Sequence, residues 1–341
     1  MKVAMYHGPD DIRIEEMSTP EFSPDEILVE MKACGICGSD LMHWYLKNRV
    51  PLVIGHEPAG IIAKTGRKVE QFNVGDRVFV HHHVACLTCH YCSRGDFTLC
   101  EQFRKTNIHP GGLAEYFRVP APNLQLDTLK IPDNVSFEEA TLIEPVACCL
   151  RAQTKFIIRP EDTVVIIGAG PSGIIHTILS ESRGAAKIIV SDMINYRLEM
   201  AKRFGADLTI NPQNENLIEK VREATNGRGA DLVIVTAPYA EALSEGLNLC
   251  RKGGTVCVFA PSLPSEYVSI SPHRLFFSEI KIIPSYSTSH LETRTALKLI
   301  QTGKIKAKKL ITHRFPLSQT SEAFKIAEKD KQCLKVVVLN E

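Results

Sequence analysis

The sequence predicts an α/β protein in two parts: a β-rich, barrel-like domain and a doubly wound parallel sheet. Three observations carry this reading. The chain has 341 residues, more than one ordinary hydrophobic core supports. Up to about residue 150 it consists of short apolar runs cut by Gly, Pro and Asp, as in EILVEMKA, LVIGHEPAGIIAKTG and DRVFVHHH, a pattern typical of strands in a barrel-like domain. From about residue 160 strand-like and helix-like segments alternate, which argues for a parallel sheet with helices on both faces.

In that second region TVVIIGAG reads as a buried strand and GIIHTILSESRGA as a helix. KIIVSDM and NYRLEMAKRFGA repeat the pair, DLVIVTAP and GTVCVFAP add strands, and EALSEGLNLCRKGG is the helix between them. The tail supplies a helix, ETRTALKLIQTGK, and a last strand, CLKVVVLN. No internal repeat and no low-complexity stretch interrupts this order.

Bulk composition excludes several classes. The chain is 44% hydrophobic and 23% charged, an average globular balance. A net charge of +1 gives no strong field toward nucleic acid or an anionic membrane. No apolar run approaches the roughly 20 residues that span a bilayer. The start, MKVAMYHGPDDIRIEE, reads as a strand and turn rather than a signal peptide, so a cytoplasmic location is expected. Eleven cysteines, an odd number without an export signal, favour metal or catalytic use over a disulfide framework. Cys34, Cys148, Cys149, Cys250, Cys257 and Cys333 lie mostly among apolar neighbours and read as small buried hydrophobes.

The remaining five cysteines fall into two sets. Cys86, Cys89, Cys92 and Cys100 are spaced C-x2-C-x2-C-x7-C in one polar loop. Four thiolates close a tetrahedral zinc shell and leave no position for substrate, so the loop is assigned a structural zinc. A nucleic-acid-binding zinc ribbon is the alternative; the loop's few basic residues argue against it. Upstream, Cys37 in ACGICGSD and His56-Glu57 in IGHEPAG mix sulfur, nitrogen and oxygen, as zinc sites with an open position do. Asp40 is either a partner for the second ring nitrogen of His56 or a turn and helix cap. Glu144, before Pro145 in LIEPVACC, reads locally as a helix start.

The turn Gly168-Ala169-Gly170-Pro171-Ser172-Gly173 follows a strand and opens a helix. Glycines there allow a tight turn and close approach to a pyrophosphate, and the helix N-terminus attracts its charge. Asp192, 24 residues after Gly168, accepts from ribose hydroxyls and repels a 2′-phosphate, which favours NAD. Arg197 fits the adenosine end of a cofactor and an exposed helix position equally well.

Taken in order, ACGICGSD, GHEPAG, the four-cysteine loop, GGLAEY, LIEPVA and GAGPSG resemble the zinc-dependent medium-chain dehydrogenase/reductase (alcohol dehydrogenase) superfamily. Within it the chain is most similar to sorbitol/polyol and threonine dehydrogenases, over essentially its whole length. The resemblance implies a GroES-like catalytic domain at 1–150, carrying both zinc sites, and a Rossmann NAD-binding domain at 151–282. Residues 283–341 would return to the catalytic domain, with the active site in the cleft between domains. It further implies that Cys37, His56, Glu57 and Glu144 surround a catalytic zinc and that at least one glutamate is displaceable. Ser39 would stand next to the reacting oxygen and start a proton relay. Ala260 and Ser287 would join the glycine turn at the cofactor.

Three positions depart from the family pattern. Members often carry a relay histidine five residues after the catalytic cysteine; here that position is Met42, and His43 follows it. Sorbitol-type enzymes carry an arginine–tyrosine pair at the polyol; here Tyr286 matches the tyrosine and Ser285 replaces the arginine. His83, three residues before Cys86, matches a pocket histidine of threonine dehydrogenases, although the run His81-His82-His83 also fits simple strand polarity.

The implied activity is oxidation of a secondary alcohol, polyol or sugar hydroxyl by NAD, with two zinc ions per subunit, one of them lowering the pKa of the substrate hydroxyl. A threonine or simple alcohol dehydrogenase is the neighbouring alternative. A non-catalytic nucleotide-binding protein on the same scaffold is the remote one, and it predicts damaged zinc ligands, which are not seen. The expected assembly is a homo-oligomer, dimer or tetramer, pairing Rossmann sheet edges around residues 270–290.

Overall fold

The computed structural model describes Met1–Asn340. Its strands, in chain order, are β1 (Lys2–Gly8), β2 (Asp11–Glu16), β3 (Ile27–Gly35), β4 (Leu52–Val53), β5 (Glu57–Thr65), β6 (Arg77–Val80), β7 (Tyr116–Val119) and β8 (Thr128–Lys130). Next come β9 (Thr163–Ile167), β10 (Lys187–Ser191), β11 (Leu208–Ile210), β12 (Ala230–Val235), β13 (Cys250–Val258) and β14 (Lys281–Pro284), then β15 (Ile311–Pro316) and β16 (Lys335–Leu339). The chain divides into two units. One comprises Met1–Ala147 and the segment from Thr288 onward, the other Cys148–Ser287.

The units divide a few residues from the expected boundaries at 150 and 282. The first boundary falls inside the helix Ile143–Thr154. The return begins later than expected because β14 still pairs with β13 through Pro284, and the Ser285 amide then donates to the Val258 carbonyl at 3.0 Å. The helix expected over EALSEGLNLCRKGG ends at Leu249. Cys250 is extended and pairs with Ala230, so CRKGG belongs to β13.

In the first unit β3 is the hub. Its side chains are buried on both faces over most of its length, which suits its run of Ile, Leu, Val, Met and Ala. β5 covers one edge antiparallel from end to end. The other edge is shared: β7 takes Ile27–Glu30 and β16 takes Ala33–Gly35. The resulting path is β15-β16-β3-β5-β6-β8, with β7 attached to β3 and a separate three-stranded sheet of order β2-β1-β4. Ile27, Met31, Ile62, Leu113 and Phe117 are completely buried in its core. Each such side chain contributes about 1.5–3 kcal/mol by leaving water.

The second unit is one parallel sheet of order β11-β10-β9-β12-β13-β14. Numbered within the unit this is 3-2-1-4-5-6, the doubly wound order whose topological switch lies between its first and fourth strands, here β9 and β12. Every residue of β9 is buried, as a central strand covered on both faces requires. The glycine turn leaves the carboxyl end of this strand, where such folds bind their ligands.

A polar cluster lies inside this unit. The Gln153 amide donates to His176 Nδ1 at 3.3 Å, both groups are fully buried, and His176 Nε2 has no partner. Burial pushes the His176 pKa down to about 3 from 6.5. The unfolded chain therefore binds a proton below pH 6.5 that the folded chain refuses until about pH 3, so this contribution to stability is complete above 6.5 and is lost as pH falls. In urea unfolding of wild type and His176→Gln, wild type should lose about 2 kcal/mol more than the variant between pH 6.5 and pH 5, at about 1.4 kcal/mol per pH unit. Parallel pH profiles would contradict this account.

Candidate active site

The four-cysteine loop follows β6 and is organised by two short 3-10 turns, Cys92–Arg94 and Phe97–Leu99. Its sulfurs converge: Cys89–Cys92 are 3.5 Å apart, Cys86–Cys100 3.6 Å and Cys86–Cys92 4.0 Å. Sulfurs at ~2.3 Å from one tetrahedral ion stand about 3.8 Å apart, whereas a disulfide needs about 2.05 Å. The spacing therefore fits a metal and not a bridge. Hydrogen bonds from Thr88 pull the Cys86 thiol down to about 6, while burial pushes Cys92 up to about 12. One sulfur is thus ready as a thiolate, and an ion would have to complete the deprotonation of the set.

The second cluster forms where β3 and β5 come together. Cys37 lies two residues past the end of β3, and Glu57 is the first residue of β5, paired across from Gly35. One donor atom each from Cys37, His56 and Glu57 lies within 4.8 Å of the other two. Asp40 does both things considered for it. Its Oδ2 accepts the Cys37 amide at 3.0 Å, closing the turn, and its Oδ1 meets His56 Nδ1 at 3.1 Å. That contact keeps the proton on Nδ1 and leaves Nε2 for a metal. Burial opposes charge on His56, but Asp40 and Cys37 outweigh it and hold its pKa well above the ordinary value.

Glu57 has no exposed surface. Burial pushes its pKa up, and Lys335 and His56 pull the other way. Lys335 Nζ forms an ion pair with Glu57 Oε2 at 2.5 Å; both carboxylate oxygens are buried and neither makes a hydrogen bond of regular geometry, so Oε1 is left without a partner. An unpartnered carboxylate oxygen beside a thiol and a ring nitrogen fits a divalent ion of the zinc type. Glu144 is buried in the first turn of its helix and acts electrostatically on both Glu57 and Lys335, but it is not part of the three-donor cluster.

Of the other expected residues in this unit, Ser39 lies in the turn Gly38–Leu41 directly after Cys37. His43 opens a short helix, with its Nδ1 3.1 Å from Tyr6 Oη. In the histidine run the three rings face different neighbours. His81 Nδ1 is bonded to the fully buried Asp127 at 2.9 Å. His83 Nδ1 donates to the Thr106 carbonyl at 2.6 Å, and burial lowers its pKa to about 4. It is His82 whose ring approaches His56, 4.9 Å between centroids. Sequence reasoning missed Lys335 and left His82 undistinguished. A lysine inside the apolar run CLKVVVLN was the available signal for the first.

In the second unit, Gly168 adopts φ +100°, and a Cβ at Gly173 would meet the Gly168 carbonyl oxygen at 1.9 Å. Only glycine serves at both positions. Gly170 precedes the helix Pro171–Ser182, makes no side-chain cap, and faces open space. The first amides of that helix are thus available to a phosphate. Asp192 follows β10 directly; its two oxygens accept the amides of Ala169 and Ile194 at 2.7 and 2.8 Å. Arg197 stands in the helix Asn195–Arg203 with a buried, unpartnered Nε. Ala260 follows β13, and Tyr286 and Ser287 follow β14; Tyr286 is exposed.

Known families match both parts. The alcohol dehydrogenase GroES-like domain matches residues 23–133, and the zinc-binding dehydrogenase family matches residues 171–302. A sorbitol dehydrogenase of Bacillus subtilis strain 168 is 35% identical, covering 99% of this chain and 97% of the relative. Among solved structures, an alcohol dehydrogenase of Escherichia coli CFT073 complexed with NADH superposes with a TM-score of 0.89 at 32% identity, covering 99% of each chain. A zinc-binding dehydrogenase of Sinorhizobium meliloti 1021 bound to NADP gives 0.89 at 28%, covering 99% of this chain and 98% of that one. The chain belongs to the zinc-dependent medium-chain dehydrogenase/reductase family.

If Asp40 sets the tautomer of His56, Asp40→Asn, which keeps an oxygen for the Cys37 amide but loses the charge, should weaken zinc binding at this cluster by ~10–100-fold. Chelator competition would read this with the loop zinc as internal reference. Unchanged retention would reduce Asp40 to a turn cap.

Proposed function

We propose that the chain is a zinc-dependent polyol dehydrogenase that transfers a hydride from a secondary hydroxyl of a polyol or sugar to NAD. The observation that carries this reading is the Cys37–His56–Glu57 cluster with its unpartnered Glu57 oxygen. The similarity to a sorbitol dehydrogenase over nearly the whole chain supports the substrate class.

Bound zinc and the dinucleotide supply Lewis acidity and a hydride acceptor; the chain's own residues do the rest. Asp40 fixes the His56 ring. Ser39, in the turn with Cys37, takes the first place in a proton relay, and His43 the outer place. The contact of His43 Nδ1 with Tyr6 leaves Nε2 for exchange. Glu144, close enough to act on Glu57, is the alternate carboxylate at the metal. Gly170, Ser172 and Gly173 receive the pyrophosphate, and the Asp192 carboxylate selects against a 2′-phosphate. Ala260, Arg197 and Ser287 are assigned to the remainder of the cofactor, and Tyr286 and His83 to substrate. None of the eleven cysteines is joined in a disulfide, which fits a reducing, cytoplasmic setting, and among the described residues no helix is long and apolar enough to cross a membrane.

Zinc-replete protein should reduce NAD with a polyol or sugar, and favour NAD over NADP by at least ~10-fold in kcat/KM, about 1.4 kcal/mol. A panel of polyols, sugars, secondary alcohols and threonine, followed optically with each cofactor, reads both expectations. Full turnover by Cys37→Ser with the fold intact would refute the chemistry, and activity on threonine or simple alcohols alone would refute the substrate class.

We also assign the protein to a homo-oligomer joined through the β14 edge. β14 ends its sheet unpaired on one side, and Phe276 and Phe277, in the helix Pro272–Ser278 that precedes it in the chain, are 76% and 68% exposed, a combination that invites pairing with a second copy. Light scattering should give a multiple of the chain mass, reduced by the double change Phe276→Ser, Phe277→Ser. A monomeric mass for wild type would dispose of the assignment.

A further inference from the structure

Lys335 is the only lysine buried among the described residues. Lysine is almost never fully buried without a partner, and this one has two. Its Nζ forms the ion pair with Glu57 Oε2 and donates to the Ile36 carbonyl at 2.9 Å. The strand register makes this pairing unusual. β16 and β5 are not neighbours; they flank β3, with Val337 paired to Gly35 on one side and Glu57 paired to Gly35 on the other. The two side chains meet across a gap of two strand spacings, about 9–10 Å, directly over Gly35. A Cβ at Gly35 would stand 1.9 Å from Glu57 Oε2 and 3.0 Å from Lys335 Cε. The absent side chain is the slot through which the pair closes.

We propose that Lys335 is a positioning residue for the Cys37–His56–Glu57 metal site, gripping one oxygen of Glu57 through the slot at Gly35 so that the other faces the ion. The inference rests on those three residues holding zinc. Charge balance supports it. Cys37 as thiolate and the carboxylates of Glu57, Glu144 and Asp40 bring four acidic groups to a buried place; a divalent ion offsets only two charges, and Lys335 is the cation that reduces the remainder. Its position also complements Asp40. One partner orients the ring donor, the other the carboxylate donor, as ligands of functional metal sites require.

The test is zinc retention by the full-length holoprotein, by chelator competition and elemental analysis, for Lys335→Met, Lys335→Arg and Gly35→Ala, with Cys37→Ser in parallel. Gly35→Ala is informative because the nearest atoms it meets are side-chain atoms, first the far end of Glu57, so it disturbs the grip while keeping the lysine. Lys335→Met and Gly35→Ala should each release one zinc at ~10–100-fold lower chelator concentration while the loop zinc stays, and Lys335→Arg should restore most of the retention. Wild-type retention in Lys335→Met or in Gly35→Ala, or loss of both zincs together with unfolding in each, would overturn the proposal. If Cys37→Ser also keeps both zincs, the zinc reading of the cluster has failed instead.

Discussion

The first unit depends on one constraint: ionisable groups buried beside β3 must neutralise one another or be held by a metal. Cys37, His56, Glu57, Asp40 and Lys335 are drawn from three separate stretches of chain, yet they converge on the end of a single strand. Moving a charged group out of water costs several kcal/mol even after relaxation, so the fold tolerates this convergence only because each group has a partner. Asp40 takes His56, and Lys335 takes one oxygen of Glu57. What is left over is a sulfur, a ring nitrogen and one carboxylate oxygen. The residual valence of the cluster is therefore that of a metal-binding site, and the ladder of β16, β3 and β5 is what places it.

The two cysteine-bearing sites differ in this respect. The loop offers four sulfurs and no other donor type, with spacings that close a tetrahedron. The cluster at β3 offers three unlike donors, two of them steered by outer partners, and Glu144 stands nearby without joining the set. An ion in the loop has no coordination position to exchange. An ion held by the three donors of the cluster would have one, and Glu144 acts electrostatically on Glu57 beside it. This difference follows from the donor chemistry and separates a site that folds the chain from one that can act on a substrate.

Much of this was legible in the sequence, and the reasons are local. TVVII followed by a glycine turn and a helical run is a short-range pattern, and β9 with its helix answers it directly. The cysteine loop is legible because its ligands are close in sequence. Elements went astray where a longer-range pairing decided them: CRKGG was read with the preceding helix, and only the partner strand β12 makes Cys250 extended. Lys335 was invisible for the same reason. Nothing in CLKVVVLN says that its lysine faces a carboxylate 278 positions earlier (335 − 57); the partner strands and the missing side chain at Gly35 establish it. The histidine run was ambiguous because β6 ends at Val80, so no strand alternation sets the directions of His81, His82 and His83, and only the folded chain shows which of them meets His56.

Glycine explains why these long-range placements hold. At Gly173 the absent side chain lets a helix approach the turn that feeds it, and at Gly35 it lets two charged side chains meet across an intervening strand. Both are close approaches that any Cβ would block, and in the proposed function each would serve a different chemical end: one would present backbone amides to a phosphate, the other would turn a carboxylate toward an ion. The metal cluster and the cofactor turn belong to separate units with separate cores, yet both use the same device. A site that needs atoms closer than side-chain packing allows is built where the chain has no side chain, and the rigidity of the surrounding sheet converts that vacancy into a fixed geometry.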